Sequence, residues 1–200
     1  MPTSDPIFDL PLLSETDRSW AEIASARLDL FLADHAGCEQ QAALSALSLA
    51  DRYLDDAELV DKLTSLAMEE IVHFRRVGTI LRSRSIYAGR KRSNPWVQAL
   101  LKNIKDRREP HHKIDRLLIG ALIEARSCER FTRLMEVTDD AEVRELLTDL
   151  GPAEARHWRM FYNLAARELP EEDLRIRWQA WLDFERDLTS MGGKLPTVHG

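Results

Sequence analysis

An all-α protein built on four long helices, joined as two hairpins, is what this sequence predicts, and three observations carry the prediction. Apolar residues recur at steps of three and four over long stretches, as in Leu59, Leu63, Leu66, Val77 and Ile80, the period of a helix with one face in a core. Period-two alternation, the mark of a half-buried strand, is hard to find. One pattern also occurs twice: Glu70-Ile71-Val72-His73 and Glu154-Ala155-Arg156-His157 each set a carboxylate and an imidazole on the apolar stripe of a long helix. At 200 residues the chain reads as a single domain over residues 1–200, long enough to bury a sizeable core.

The elements follow in order. Residues 1–16 are an extended lead, and Ser14 or Thr16 is expected to cap a short helix around Trp20. The first long helix spans about residues 28–53, with the stripe Leu28, Leu32, His35, Glu39, Ala42, Ala46, Leu49 and Tyr53. Asp55-Asp56 makes a short turn into a second helix over about 57–84. A long connection, 85–112, contains Gly89, Asn94-Pro95 and Pro110, and has room for a helix over 96–105 whose apolar set is Val97, Leu100, Leu101 and Ile104. The third long helix covers about 113–137, with Leu117, Ala121, Glu124, Cys128, Phe131 and Met135 on one face. Thr138-Asp139-Asp140 turns the chain into a fourth helix over about 141–168, which ends at Glu168-Leu169-Pro170. Pro152 lies inside it, two residues before Glu154, and should kink or bulge it there. A last helix, 171–190, carries Trp178, Trp181 and Phe184, and residues 192–200 after Gly192-Gly193 form a loose tail.

The paired motifs demand a chemical explanation. A carboxylate beside leucines must be paired or metal-bound, because a bare buried charge is too costly. Two further carboxylates complete the set by register. Glu70 lies about 15 residues after the Asp55-Asp56 turn, and Glu39 lies about 15 before it, so equal rise per residue puts both at one depth in an antiparallel pair. Glu154 and Glu124 stand in the same relation to Asp139. The spacings, 31 residues from Glu39 to Glu70 and 30 from Glu124 to Glu154, describe a duplicated helical hairpin. Glu129 is turned about 140° from Glu124 and should point elsewhere, and Glu69 is one residue off its stripe. Glu39, Glu70, His73, Glu124, Glu154 and His157 are therefore the candidate metal ligands and catalytic residues. A Glu-x-x-His on each of two helices, with one Glu from each of two others, is the ligand set of ferritin-like dinuclear bundles. His35, one turn before Glu39, reads as a core histidine, with support of a ligand as the alternative. Cys38 and Cys128 read as small buried apolar residues.

Charge is strongly polarised. The chain carries −6, yet residues 75–116 hold 13 basic against three acidic groups, leaving −16 elsewhere. Such a stretch attracts a polyanion, and arginine suits phosphate. Arg82, Arg84, Arg90, Lys91, Arg92, Lys102, Lys105, Arg107, Arg108 and Lys113 are the candidate nucleic-acid contacts, with His111, His112, Tyr87 and Trp96 able to stack on bases. The plainer reading of this stretch is a solvated helix end. Two cysteines cannot make a disulfide framework, and no membrane span or leader is read, so the chain is expected in the cytoplasm. Phosphate loops, nucleophile elbows and Cys-x-x-Cys pairs are absent from the sequence.

Several runs resemble the MiaE-type tRNA hydroxylases, a family of ferritin-like non-haem di-iron monooxygenases: Ala36-Gly37-Cys38-Glu39, Glu69-Glu70 with His73-Phe74, Leu122 through Phe131, and Glu154-Ala155-Arg156-His157. The resemblance spans roughly residues 10–190. It implies a ferritin-like four-helix bundle with extra short helices, two iron ions held by the six residues above, and O2 as co-substrate. It also implies tRNA as substrate, hydroxylated on the isopentenyl group of 2-methylthio-N6-isopentenyladenosine next to the anticodon. Without a flavin, haem or iron–sulfur motif, the chain needs an external electron donor of the ferredoxin or reductase kind. Phe74, Phe131, Trp158, Phe161 and Tyr162 are candidates for a pocket wall or O2 channel. The rivals are a ferritin- or rubrerythrin-like di-iron oxidase or iron-handling protein, which needs no polyanion surface, and a tRNA-binding bundle with a purely structural metal.

Overall fold

The computed structural model describes residues 9–87, 94–191 and 195–199. Among these, seven helices and no strand account for the regular structure: α1 (Arg18–Ala26), α2 (Leu28–Arg52), α3 (Ala57–Ser83), α4 (Pro95–Lys102), α5 (His111–Met135), α6 (Ala141–Ala166) and α7 (Glu171–Met191). Contacts divide the chain into two compact units. One holds α2 and α3 with residues 196–198, and the other holds the N-terminal segment, α4 to α7 and His199.

In the first unit, α2 and α3 form a hairpin. Its turn ends at Asp56, whose carboxylate caps α3 by accepting from the Leu59 N–H at 3.1 Å. The stripe of α3 is buried as its period requires, from Leu59, Leu63 and Leu66 through Glu70 and His73 to Val77 and Ile80. Each such leucine withdrawn from water contributes about 1.5–3 kcal/mol. The Val198 N–H donates to Asp34 at 2.9 Å in this unit.

The second unit repeats the device. Asp140 caps α6 by accepting from Val143 at 3.0 Å. It lies 84 residues after Asp56, the offset that also relates Glu154 to Glu70 and His157 to His73. The helix α6 runs unbroken through Pro152, which is exposed. The neighbouring Gly151 carbonyl accepts the Cys128 thiol at 3.4 Å.

Around α5 this unit adds layers that the hairpin of α2 and α3 does not have. From α7, Arg177 and the Trp181 indole donate to Asp115 at 2.7 and 2.8 Å. Arg126, fully buried, is held between Glu185 of α7 and Glu129 of its own helix, both at 2.9 Å. Thr16 does not cap α1. Its N–H and hydroxyl both donate to Glu129, at 2.8 and 2.5 Å, and Asp17 takes the capping place by accepting from Ser19. The tail also departs from expectation over residues 195–199. Val198 and His199 are buried, and the His199 ring stacks on Trp96 at 5.1 Å and meets the Ser127 hydroxyl at 3.1 Å.

Candidate metal centre

The α2–α3 half of the site places Glu39, Glu70 and His73 together. Each offers a ligand atom within 4.8 Å of the others. Their exposures are 4%, 1% and 7%. Nδ1 of His73 lies 3.5 Å from Glu70 and 3.7 Å from Oε2 of Glu39. Oε1 of Glu39 faces the other way, to Nε2 of His35 at 2.5 Å. The protonation of this cluster reflects its crowding. Burial opposes charge on Glu39, but the Glu70 carboxyl and the His35 and His73 imidazoles hold its carboxyl well below the usual carboxylate range. Burial likewise disfavours a charged His73, yet its two carboxylate neighbours outweigh that and push it up to about 10.

The α5–α6 half brings Glu124, Glu154 and His157 together in the same way, again with ligand atoms within 4.8 Å of one another. All three are buried, and Nδ1 of His157 is 3.9 Å from Oε2 of Glu124. Each half thus supplies two hard oxygen ligands and one imidazole, a donor set that fits a divalent first-row ion such as iron. Two carboxylates balance one such ion. Burial, with Glu129 nearby, pushes the Cys128 thiol up to about 12, and that thiol donates to the Gly151 carbonyl at 3.4 Å.

The residues set aside on geometric grounds fall elsewhere. Glu69 is exposed, and Glu129 sits with Arg126 and Thr16. Among the pocket candidates, Phe131 and Phe161 are buried, Trp158 and Tyr162 are half-buried, and Phe74 is 37% exposed. Spacing could not reveal the Arg126–Glu129–Glu185 cluster, because these residue types at these positions look like an ordinary charged face.

The basic residues divide. Arg82, Lys102, Lys105 and Arg107 are exposed, and Arg84 is half-buried. Arg108 is exposed but pairs with Asp106 at 2.9 Å. Lys113 is buried, with its ammonium on Glu168 at 2.5 Å. Arg90, Lys91 and Arg92 lie outside the described residues. No helix among the described residues is long and apolar enough to cross a membrane.

Comparison with known proteins adds to this geometry. The profile of the family described as tRNA-(MS2IO6A)-hydroxylase (MiaE) matches residues 6–200. The chain is 35% identical over 169 residues to the tRNA 2-(methylsulfanyl)-N(6)-isopentenyladenosine(37) hydroxylase of Pseudomonas putida, covering 84% of this chain and 82% of that relative. It is 28% identical to the Salmonella typhimurium protein of the same name, over 86% and 81% of the two chains. Among solved structures, a Synechococcus protein described as having aldehyde deformylating oxygenase activity matches with a TM-score of 0.89 at 33% identity, over 94% of this chain and 95% of that one. The two share the ferritin-like all-α fold.

Proposed function

This chain belongs to the MiaE family of tRNA hydroxylases, and we propose that its two half-sites form one di-iron centre for O2-dependent hydroxylation of the isopentenyl group of 2-methylthio-N6-isopentenyladenosine in tRNA. The observation that carries the reading is the doubled, buried set of one Glu plus one Glu-x-x-His. Glu39, Glu70, His73, Glu124, Glu154 and His157 are the six proposed ligands, and residues 1–200 act as one catalytic domain. Four carboxylates neutralise two ferrous ions, and the imidazoles complete a site of oxygen and nitrogen ligands.

When bound, the iron pair supplies the activation of O2 that a hydrocarbon C–H bond requires. One oxygen atom enters the C–H bond as hydroxyl. The other leaves as water, with two electrons from an external ferredoxin- or reductase-like donor and two protons from solvent. The chain itself contributes position and exclusion of water. Gly120 lets the Phe161 ring pack against α5 one turn from Glu124, and the rings of Trp158, Tyr162 and Trp178 interlock beyond it. The exposed cations Lys102, Lys105 and Arg107 lie on the stretch that favours the tRNA backbone. A tRNA substrate puts the enzyme in the cytoplasm.

The test is reaction of the iron-loaded, reduced protein with tRNA bearing the isopentenylated base, under labelled O2. Mass analysis of the nucleosides should find one labelled oxygen per product. Label arriving from solvent water contradicts a monooxygenase. A long-chain aldehyde offered in parallel should remain unconsumed, and its loss of the formyl group would favour the activity named for the Synechococcus protein.

A further inference from the structure

The two halves differ in kind one turn before their first carboxylate. Four residues before Glu39 stands His35, and four residues before Glu124 stands Gly120. His35 is 0% exposed, its ring lies against Phe31 at 5.7 Å, and its Nε2 is 2.5 Å from Oε1 of Glu39. In the other half the corresponding space is filled from across the hairpin. A Cβ on Gly120 would stand 2.8 Å from the Phe161 ring, so no imidazole fits there. The counterpart of Phe161 in α3, four residues after His73, is the smaller Val77, which is fully buried. The two halves thus place different bulk at matching positions of their hairpins: a histidine and a valine in one, a glycine and a phenylalanine in the other.

The difference has a consequence for the carboxylates. One oxygen of Glu39 is fixed by the imidazole N–H of His35, which leaves Oε2 turned toward His73 at 3.7 Å. Glu124 has no histidine at that position of its helix. A ligand whose second oxygen is already held loses less freedom when a metal binds, and loss of such a partner typically costs 10–100-fold in metal affinity. We infer that His35 is a positioning residue for Glu39 and that it makes the α2–α3 half the tighter of the two metal positions. This rests on the reading above that Glu39 and Glu124 are ligands.

Two substitutions separate positioning from packing. His35→Leu keeps bulk and removes the N–H, whereas His35→Gln keeps an N–H donor. The metal-free protein is titrated with Co(II), and the visible absorption of the bound ion resolves the two binding steps. The unsubstituted protein should show two unequal steps. His35→Leu should weaken the tighter step about 10–100-fold and leave the weaker one in place, and His35→Gln should restore most of the loss. In a Glu124→Gln background the His35-sensitive step should persist. Equal steps in the unsubstituted protein, equal behaviour of the Leu and Gln variants, or a uniform weakening of both steps would overturn the inference. Absence of any Co(II) binding in the unsubstituted protein would remove the metal-centre reading along with it.

Discussion

The hairpin of α2 and α3 and the hairpin of α5 and α6 carry the same ligand types at nearly the same spacing, yet they are held in different ways. α2 buries one face and leaves Leu44 and Leu47 substantially exposed on another. α5 is buried nearly all round, and the faces turned away from its carboxylate are occupied by Asp115, Arg126, Glu129 and Arg130. The lesson is that a duplicated motif fixes which residues meet, whereas the surroundings decide how firmly each is held. In the first half His35 stands directly on the carboxylate of Glu39. In the second the support is an outer frame of buried ion pairs several residues away.

The largest expected effects break both halves. Glu39→Ala and Glu124→Ala each remove a proposed ligand. Iron content should fall from two ions per chain to one or none, and hydroxylation should drop by more than the ~10–100-fold that loss of an outer partner costs. Iron analysis and a tRNA product assay check this. If Glu129→Ala stripped the metal and Glu124→Ala did not, the assignment on α5 would be wrong.

Glu129→Ala belongs to the frame instead. It removes one of the two carboxylates on fully buried Arg126 and the acceptor of both Thr16 donors. The loss should be about 3–5 kcal/mol in urea unfolding, with iron per folded chain unchanged. A matched pair of glycines sharpens the contrast further. Gly37→Ala adds a Cβ with nothing within 4 Å, and should stabilise α2 by about 0.5–1 kcal/mol. Gly120→Ala meets the Phe161 ring at 2.8 Å, and should cost about 1–3 kcal/mol. Equal effects at the two sites would mean that the halves pack alike.

The smallest expected effect is a proton. His73, pushed up to about 10 from 6.5 by its carboxylate neighbours, is protonated in the metal-free protein at neutral pH. Its contribution to metal-free stability is present below 6.5 and is lost as pH rises through about 10. Metal must displace that proton, so affinity should rise with pH across the same window. Loading at about pH 8 in weak buffer should release a proton that a His73→Ala variant does not.

Much of this was legible before any coordinates. The period of the stripes predicts α2 over 28–53 and the structure has Leu28–Arg52, because a one-sided apolar face is enough to define a helix. The turns ahead of α3 and α6 and the inward Glu39 and Glu124 follow from the same counting, whereas the capping roles of Asp56 and Asp140 emerge only in the structure. Other features resist it. The α4 helix stops at Lys102, short of the apolar Ile104, because Asn103 closes it by donating to Ala99 and Leu100. Arg126, Glu129 and Glu185 are residue types that usually face water, and only their placement among α5, α7 and Thr16 makes them a core. His199 is 105 residues from Asn94 along the chain, and periodicity carries no information at that range.

The central claim is that the two halves make one centre. Mössbauer and magnetic measurements on the oxidised, iron-loaded protein test it most directly. A shared centre predicts two ferric ions per chain, antiferromagnetically coupled to a diamagnetic ground state, with the coupled signal lost in both Glu39→Ala and Glu124→Ala. Two independent, uncoupled high-spin ferric ions in the unsubstituted protein would contradict it.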